Sequence, residues 1–447
     1  MEDLGSNKFE LATRLHQEGK FQEAEKVYDD LLTQNHDNPG LLATLGTMYL
    51  QMDKLGLSIS LLERAASKTP QADILCNLGI AYKQSGQYEK CRQKMKEAMR
   101  HNPNAQEIAN YAGLYINISQ PEEALKHANR ALKMDPEQPM AHWNKSMALL
   151  EMGRWGEGWD ENEWGFKNKM RVRRDLGVPY WDGTNGKTIA VYGEQGLGDE
   201  IMFASMIPDL CKKNAVIFEC HTRLKTLFQK SFPDLTIYGS RESPEITWLA
   251  NHELDYAVSI GSLGRWFRRS AEDFPGTPYL RADPIERGRK FRVGISWTGG
   301  LKPGRVVVRT IPLAMWLPIL NNDCEFISLQ YTDCHDEIEA VNRLGYNIIE
   351  RDDLVKAEDY YETARLVKSC DLVISCATSV YHLAGALGVP TWLMAPNRPA
   401  WREQVKGPIP WYRSVRVYRQ PQGDAETWRA VVSKVGFDLS ELKKEAA

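Results

Sequence analysis

Two hydrophobic periodicities divide the chain. Up to about residue 165, apolar positions recur at the spacing of amphipathic helices. From about residue 186, short apolar runs bounded by turn residues alternate with helical patterns. Short apolar runs are typical of buried parallel strands, and their alternation with helices predicts parallel sheets with helices on both faces. The pattern therefore predicts an α-helical array followed by α/β domains.

The helical part repeats with a period of 33–34 residues. Each unit has a small residue where two antiparallel helices must approach closely, and a tyrosine three positions later that we expect to fill the gap to the next helix pair. The small residues are Gly46, Gly79 and Ala112, and the tyrosines are Tyr49, Tyr82 and Tyr115. A proline ends each second helix. This unit resembles the tetratricopeptide repeat, which stacks into a solenoid with a concave binding surface.

We assign residues 1–170 to this array. Its concave surface is predicted to bind a polypeptide, and the alternative is a structural or dimerising spacer. The array ends in a tryptophan-rich stretch. Trp155, Trp159 and Trp164 lie near one helical face, and we expect them to form core that docks the last helix onto the next domain rather than a sugar-stacking platform.

Nine strands are predicted in the α/β part. Four lie at 188–192, 215–219, 236–238 and 254–258, and five at 292–296, 325–329, 347–349, 372–374 and 391–393. A polar segment with proline and glycine at 282–291 separates the two groups. The sequence thus predicts Rossmann-like domains at 185–283 and 290–447, the second closed by a terminal helix. Two such domains with a cleft between them resemble the GT-B fold of nucleotide-sugar glycosyltransferases.

The most informative segment, residues 371–396, reads as strand, short polar loop, helix, turn and strand. Thr378 or Ser379 can cap the helix. The helix N-terminus would present free backbone N–H groups, these two hydroxyls and His382 at the carboxyl end of a parallel strand. Ligands bind at such places in open α/β sheets, and helix N-termini favour anions such as a diphosphate.

A glycine-rich turn follows the first α/β strand. It ends in Gly198, and Asp199 and Glu200 begin the next helix. The spacing matches neither the dinucleotide-binding fingerprint nor the P-loop. If the two domains face each other, a carboxylate here is a candidate general base for an acceptor hydroxyl. The alternative is an acid favoured at a helix start by the dipole.

Further candidates lie in the second domain. The backbone of Trp297, Thr298 and Gly299 could approach a phosphate, and a cation among Lys302, Arg305 and Arg309 could neutralise a leaving diphosphate. Gln330 ends a strand and could meet the nucleotide. Trp401 and Arg402 could help close the cleft, whereas Trp411 and Tyr412 are expected to pack as core.

Composition and charge argue against several classes of protein. The net charge of −3 and the lack of a basic run argue against nucleic-acid binding. No apolar stretch is long enough to span a bilayer, and the polar N-terminus does not read as a signal peptide, so we expect a cytoplasmic protein. The eight cysteines lack metal-ligand spacing and predict reduced core thiols. A catalytic Cys376 is the alternative.

Several motifs together carry a wider resemblance. They are Gly-Glu-Gln-Gly-Leu-Gly-Asp-Glu, Val-Gly-Ile-Ser-Trp, Arg-Thr-Ile-Pro-Leu, Phe-Ile-Ser-Leu-Gln and Ser-x-x-Thr-Ser-x-x-His-Leu-Ala-Gly-Ala-Leu-Gly-Val-Pro. They resemble the bacterial tetratricopeptide-repeat glycosyltransferases, whose catalytic part is similar to the ADP-heptosyltransferases. The architecture is also similar to the O-linked N-acetylglucosamine transferases. The resemblance covers essentially the whole chain.

The resemblance implies an inverting, metal-independent glycosyltransferase with no cofactor, a nucleotide-sugar donor and a protein or peptide acceptor. It implies Asp199 as base and Arg309 as the cation at the diphosphate. Ala377 stands where relatives often carry Asp, which weakens the case for an ADP-heptose donor. The predicted donor-binding residues are Gly198, Trp297, Thr298, Gly299, Gln330, Thr378, Ser379 and His382.

Two alternatives remain at this point. One is a non-catalytic repeat scaffold or nucleotide-sugar sensor with a degenerate GT-B part, motivated by Ala377. The other is an epimerase or phosphorylase of the same fold, although no lysine site for pyridoxal phosphate is recognisable. Repeat arrays often self-associate, so a homodimer is a further possibility.

Overall fold

The computed structural model describes residues 2–299, 308–421 and 427–446. The chain forms two compact units, Met1–Lys145 and Ser146–Ala447. Within the described residues, no helix combines the length and the apolar character that crossing a membrane requires. Each unit has its own architecture.

The first unit consists of helices that pack in consecutive pairs. Asn38 caps one of them through a bond from the Leu41 N–H, and Asn104 begins another with a capping box to Glu107. The helices are α1 (Glu2–Gln17), α2 (Phe21–Gln34), α3 (Pro39–Gln51), α4 (Leu55–Lys68), α5 (Ala72–Gln84), α6 (Tyr88–Ala98), α7 (Ala105–Asn117), α8 (Pro121–Met134) and the start of α9 (Pro139–Glu151).

The small residues of the repeat do allow the close helix approach that the sequence predicts. A Cβ added to Gly46 would lie 2.9 Å from Leu62 Cγ, and one added to Gly79 would lie 2.8 Å from Met95 Cγ. The hydroxyl groups of two of the tyrosines bind the preceding helix pair. Tyr49 Oη donates to Glu25 at 2.7 Å, and the Tyr82 hydroxyl likewise donates to Glu63. The Tyr82 ring also belongs to a core cluster with Tyr111 and Leu114 of the next pair, as the sequence predicts.

The second unit contains two separate, wholly parallel sheets. The first has the order β3-β2-β1-β4 and the second the order β10-β9-β8-β5-β6-β7. The strands are β1 (Thr188–Tyr192), β2 (Ala215–Glu219), β3 (Thr236–Tyr238), β4 (Tyr256–Ser259), β5 (Arg292–Ser296), β6 (Glu325–Ser328), β7 (Ile348–Ile349), β8 (Leu372–Cys376), β9 (Thr391–Ala395) and β10 (Val415–Arg419).

The sequence located every strand except β10. That edge strand reads Val-Arg-Val-Tyr-Arg and alternates buried with more exposed positions, so it lacks the continuous apolar run of its neighbours. The first sheet lies within residues 185–283 and the second within 290–447. The predicted domain limits themselves, including the end of the array at 170, stay predictions.

Short helices cover both sheets, and a long one closes the chain. They are α10 (Trp155–Asn162), α11 (Leu197–Ala204), α12 (Ile207–Cys211), α13 (Lys225–Ser231), α14 (Gly264–Phe267), α15 (Leu317–Leu320), α16 (His335–Asn342), α17 (Asp352–Val355), α18 (Tyr360–Lys368), α19 (Ser379–Ala386) and α20 (Trp428–Ala446). Apolar side chains from both sheets meet in one large core that contains α11 and α19.

Two of the three predicted docking tryptophans are core residues. Trp155 and Trp159 of α10 are buried. The Trp159 ring packs edge-to-face on Trp401 with centroids 5.4 Å apart, and its Nε1 donates to the Arg268 carbonyl at 2.8 Å. These two tryptophans therefore attach α10 to the α/β part. Trp164 is only half-buried, with the Lys167 ammonium 3.8 Å from its ring centroid.

A buried ion pair anchors the loop that follows β1. The Arg171 guanidinium is fully buried, and two of its nitrogens donate to the Glu194 carboxylate: Nη2 to Oε1 at 2.7 Å and Nε to Oε2 at 3.0 Å. Arg171 Nη1 also donates to Asn162 Oδ1 at 2.8 Å. A fully paired guanidinium can remain charged inside a core, and here it fixes the first residues of the glycine-rich turn.

We expect Arg171→Met to destabilise the second unit by about 3–5 kcal/mol, because it leaves the Glu194 charge buried without its partner. The double variant Arg171→Met/Glu194→Met should recover most of that loss. Arg351→Met, which removes an exposed pair with Asp353, should cost less than about 1 kcal/mol. Urea unfolding followed by tryptophan fluorescence measures all three; equal losses for Arg171→Met and Arg351→Met would contradict the anchoring role.

Candidate functional site

The candidate donor loops leave the second sheet where its strand order changes direction. Strands β5 and β8 are neighbours there although two strands, β6 and β7, lie between them in the sequence, and Ser296 pairs with Ser375. Loops after adjacent parallel strands on opposite sides of such a point open a crevice at the carboxyl edge. In this structure, residues 297–299 and 377–379 lie side by side: a Cβ on Gly299 would collide with Thr378 Cγ2.

Helix α19 begins as the sequence predicts. Thr378 is its cap, and its Oγ1 accepts a hydrogen bond from the Val380 N–H at 3.2 Å. Ser379 Oγ accepts from the Tyr360 hydroxyl at 3.2 Å and is half-buried. Of the two capping residues left open by the sequence, Thr378 performs that role, and Ser379 is held by Tyr360.

The loop after β5 is fixed by Gln330. Its Oε1 accepts from the backbone N–H groups of Trp297 and Thr298, both at 3.2 Å, and its Nε2 donates to the Thr298 carbonyl at 3.0 Å. The Trp297 indole is buried in the core and donates to Glu337 at 2.6 Å. Gln330 and the Trp297 side chain therefore shape the loop, and their contact with a nucleotide stays a prediction.

Arg309 lies close to this loop. The hydroxyls of Thr298 and Thr310 are 2.6 Å apart, which ties the loop to the residue after Arg309. The positive charge of Arg309 also acts on the Cys376 thiol and on the His382 ring. Arg309 thus acts on the start of α19 through its charge. Lys302, Arg305 and the glycine at 300 lie outside the described residues.

The first sheet contributes helix α11, which packs directly against α19. The contact is tight at Gly198: a Cβ there would lie 3.0 Å from His382 Cδ2 and 3.2 Å from Ser379 Cα. We call the part of the second unit that is built on the first sheet the first lobe, and the part built on the second sheet the second lobe. Gly198 is therefore a contact residue between the two lobes. The first turns of both helices, and with them Asp199 and Ser379, meet at one place.

Asp199 forms an ion pair across the two lobes. Its Oδ1 accepts from the Arg402 guanidinium, and its Oδ2 accepts from the Gly196 N–H at 3.3 Å. Both side chains in the ion pair are only 16% exposed. Burial opposes the charge of Arg402, but the nearby Asp199 and Glu403 carboxylates raise the pKa of Arg402 overall. Trp401 and Arg402, predicted to close the cleft, do meet the first lobe.

Glu200 differs from its neighbour Asp199. It is completely buried, its Oε1 accepts from the His221 N–H at 2.7 Å, and its Oε2 lies 2.9 Å from Arg241. Burial raises the pKa of Glu200 to about 8, although Arg241 opposes the rise. Of the two acids that begin α11, only Asp199 faces the second lobe.

His382 is a buried, neutral imidazole. Burial lowers its pKa well below the ordinary value, and the charges of Arg402 and Arg309 lower it further. Its Nδ1 is 3.0 Å from the hydroxyl of Tyr412, which packs in the core as predicted. A neutral histidine in this position can offer a hydrogen bond, but it does not carry a positive charge to a diphosphate.

Cys376 does not have the properties of a nucleophile. It is 1% exposed, and burial raises the pKa of its thiol to about 12. A nucleophilic cysteine needs an accessible thiolate. The expectation of a core thiol is therefore the better description of Cys376.

The sequence missed several residues that complete the site. The Tyr360 hydroxyl donates to Ser379 Oγ. The Glu403 carboxylate accepts from the Tyr381 hydroxyl at 2.7 Å, and its negative charge acts on Arg402. Neither belongs to a recognisable motif. The one available signal was the spacing: Glu403 directly follows the Trp-Arg pair that the sequence placed at the cleft.

We expect Gly198→Ala to lower the melting temperature, with a loss of about 1–3 kcal/mol, because the new methyl group would press on the backbone of Ser379. Gly56→Ala is the matched control. Gly56 is likewise the second residue of a helix, and nothing lies within 4 Å of a Cβ there. The control should cause no loss. Equal melting temperatures for the two variants would show that the lobes do not need this glycine.

Glu200 predicts a pH dependence of stability. Since its pKa is about 8 in the fold and near 4.5 in an unfolded chain, the folded state alone keeps the proton between these values, and stability falls as pH rises through that window. Glu200→Gln should remove the fall. We expect the free energy of unfolding of Glu200→Gln in urea, measured relative to the wild type, to rise by roughly 2–4 kcal/mol between about pH 5 and pH 8.5. The reason is that a tenfold difference in proton affinity is worth about 1.4 kcal/mol. A pH-independent difference would contradict this.

The family models that match this chain lie in its helical array, whereas one relative matches most of its length. Models of the tetratricopeptide repeat match residues 72–105 and 114–158. Protein FlbA of Caulobacter vibrioides is 27% identical in an alignment of length 427, which covers 88% of this chain and 71% of FlbA. A crystal structure of MamA is 17% identical over 36% of this chain and 94% of MamA, with a TM-score of 0.31.

The tetratricopeptide protein TTC0263 of Thermus thermophilus is 19% identical over 36% of this chain and 90% of its own, with a TM-score of 0.33. The matched repeats lie in the helical part, and repeats of this kind commonly mediate protein–protein interactions. The N-terminal part of the chain is therefore a tetratricopeptide-repeat array, followed by an α/β part with two parallel sheets.

Proposed function

We propose that the protein is an inverting glycosyltransferase of the GT-B type that uses a nucleotide-sugar donor and a protein or peptide acceptor. The single observation that carries the proposal is the meeting of the first turns of α11 and α19. There a carboxylate from one lobe faces a helix N-terminus and a cation from the other lobe. These are the groups that transfer of a sugar from a diphosphate requires.

In the proposed reaction, an acceptor oxygen attacks the anomeric carbon of the donor from the face opposite the diphosphate. The bond from that carbon to the phosphate oxygen breaks, and its electron pair leaves on the nucleoside diphosphate. Asp199 takes the proton of the acceptor hydroxyl. The configuration at the anomeric carbon inverts because the attack is in line.

Charge on the departing diphosphate is stabilised by fixed groups of the second lobe. These are the backbone N–H groups at the start of α19, other than that of Val380, which Thr378 caps, and the guanidinium groups of Arg309 and Arg402. The buried Ala377 adds no carboxylate to those of Asp199 and Glu403. With a helix N-terminus and two guanidinium groups in these roles, the proposed reaction does not require a divalent cation.

Arg402 adds a step to this mechanism. In the structure its guanidinium is bound to Asp199 Oδ1, so this carboxylate oxygen is already engaged and is not available to accept a proton from the acceptor. A diphosphate bound at α19 would compete for Arg402 and release Asp199. Donor binding would then prepare the base, so that the acceptor is activated only in the loaded enzyme.

The repeat array is the proposed acceptor-binding part. Repeats of this kind present extended surfaces to polypeptides. The match to FlbA spans both the array and the α/β part, so the two parts also occur together in that relative. A protein acceptor, a homodimer and a cytoplasmic location remain proposals that rest on this architecture.

A second candidate function is a repeat scaffold that senses nucleotide sugars without transferring them. Two observations favour it. The donor loop has Ala377 in place of an acid, and the candidate base is engaged by Arg402. A sensor would bind the donor without releasing free nucleoside diphosphate, whereas a transferase would release it.

The first experiment is a thermal-shift screen of the full-length protein with UDP, GDP, ADP, CMP and their sugars, with and without EDTA. A ligand at ~100 times its dissociation constant adds about 2.7 kcal/mol to stability, which raises the melting temperature visibly. We expect one nucleotide family to shift the protein, unchanged by EDTA. No shift with any nucleotide would contradict both candidate functions.

With that donor, Asp199→Asn should lower the release of nucleoside diphosphate by about 10²–10⁴-fold, because the general base is lost. It should bind the nucleotide at least as tightly as the wild type, because Arg402 becomes free. Arg402→Gln should weaken nucleotide binding by about tenfold.

Asp353→Asn, at an exposed pair with Arg351, is the control and should change neither property. Undiminished turnover in Asp199→Asn would remove Asp199 from the mechanism. Equal nucleotide affinity in the wild type and Arg402→Gln would remove the exchange of Arg402 between carboxylate and diphosphate.

A further inference from the structure

A cavity lies at the ends of α11 and α19 that are opposite to the candidate catalytic site. Ser205 directly follows α11, and Leu387 directly follows α19; both border a cavity of 660 Å³. The segment 274–281, which leads from the first sheet toward the second, forms one wall. Asp199 and Ser379 stand at the opposite helix ends, so this cavity is separate from the candidate catalytic site.

Three buried hydrogen-bond donors among the lining residues have no partner in the part of the chain that the structure describes. They are Ser205 Oγ, Arg268 Nε and Trp411 Nε1. Arg268 and Trp411 are 2% and 3% exposed. Buried polar groups are nearly always paired, and an unpaired one indicates strain, a water or an absent ion or ligand. Unpaired donors on three residues that line one cavity favour a ligand that accepts hydrogen bonds.

The charges around the cavity indicate which acceptor. Four lining residues are cations, Lys212, Arg268, Arg281 and Lys368, and Asp209 is the one lining acid among the described residues. Asp209 already pairs with Lys212 and with Arg268, both at 2.8 Å.

Neither of the two remaining cations forms an ion pair with a carboxylate among the residues that the structure describes. Lys368 donates to the Leu387 carbonyl at 3.1 Å, and the one hydrogen bond that the structure records for Arg281 comes from its backbone N–H to Ser231 Oγ. The lining therefore has an excess of positive charge, and two of its cations can reach an anion without breaking an ion pair.

We propose that this cavity binds a small oxyanion, a phosphate or the phosphate group of an ester, between the two α/β lobes. Phosphate oxygens accept several hydrogen bonds and match guanidinium and ammonium donors. Ser205 and Arg268 would hold the anion from the first lobe, Arg281 from the segment 274–281, and Lys368 and Trp411 from the second lobe. Since α11 and α19 lead from here to Asp199 and Ser379, the bound anion would fix the same lobe contact that forms the candidate site.

The test is titration calorimetry of the full-length protein with inorganic phosphate and, in a second arm, phenyl phosphate, at constant ionic strength set with chloride. Constant ionic strength removes general screening as a cause. Binding of both probes indicates a site open to phosphate esters, and binding of inorganic phosphate alone indicates a closed site for the free ion. Either result supports the proposal.

Variants then locate the site. Arg281→Gln/Lys368→Gln should weaken phosphate binding by about tenfold or more, because two charged donors are lost. Lys213→Gln is the matched control, since Lys213 is an exposed neighbour of Lys212 that does not line the cavity. Its phosphate affinity should equal that of the wild type.

Ser205→Ala and Trp411→Phe test the buried donors without changing charge. Each should weaken phosphate binding several-fold while the protein keeps its melting temperature without phosphate, because each removes a donor that has no partner in the apo structure. No phosphate binding by the wild type, or binding that only the charge variants weaken, would overturn the proposal. Neither readout depends on glycosyl transfer.

Discussion

The candidate site depends on the close contact between α11 and α19. Two parallel sheets that are far apart in sequence are joined there, and the absence of a side chain at Gly198 sets the distance between the helices. Close packing leaves little room for adjustment, so the first turns of both helices have one relative position. The carboxylate of Asp199 and the capped end of α19 face each other as a consequence.

Charge balance is handled differently in the two lobes. In the first lobe, the buried acids Glu194 and Glu219 lie against arginines, and Glu200 combines an arginine neighbour with a raised pKa. Around α19 the guanidinium groups of Arg309 and Arg402 are accompanied by the carboxylates of Asp199 and Glu403, and His382 is neutral. Asp199 occupies Arg402 when no ligand is bound, and an anionic ligand would have to compete with it for this guanidinium.

The two proposed sites are connected by the same helices. Asp199 and Ser379 stand in the first turns of α11 and α19, and Ser205 and Leu387 follow their last turns. Helices are stiff over these lengths, so a ligand that changes how the lobes meet at one end also changes the contact at the other. Coupling between the sites would be a property of the lobe contact, and it would act in both directions.

The sequence by itself determined the elements and much of the local chemistry. The repeat period identified the helical array, and the short apolar runs located nine of the ten strands in the described residues. The polar loop before α19 limited the cap to Thr378 or Ser379, and the structure shows that it is Thr378. These features follow from spacing along the chain, because helices, strands and caps are made by neighbouring residues. β10 was missed because an edge strand does not need a continuous apolar run.

Only the tertiary structure decided which side chains meet. Asp199 and Arg402 are 203 positions apart, and no local pattern pairs them. The same holds for the burial that separates Glu200 from Asp199, and for Gln330, whose amide is engaged with the loop after β5. Burial and charge pairing depend on contacts between distant segments, and these become defined only when both sheets are packed.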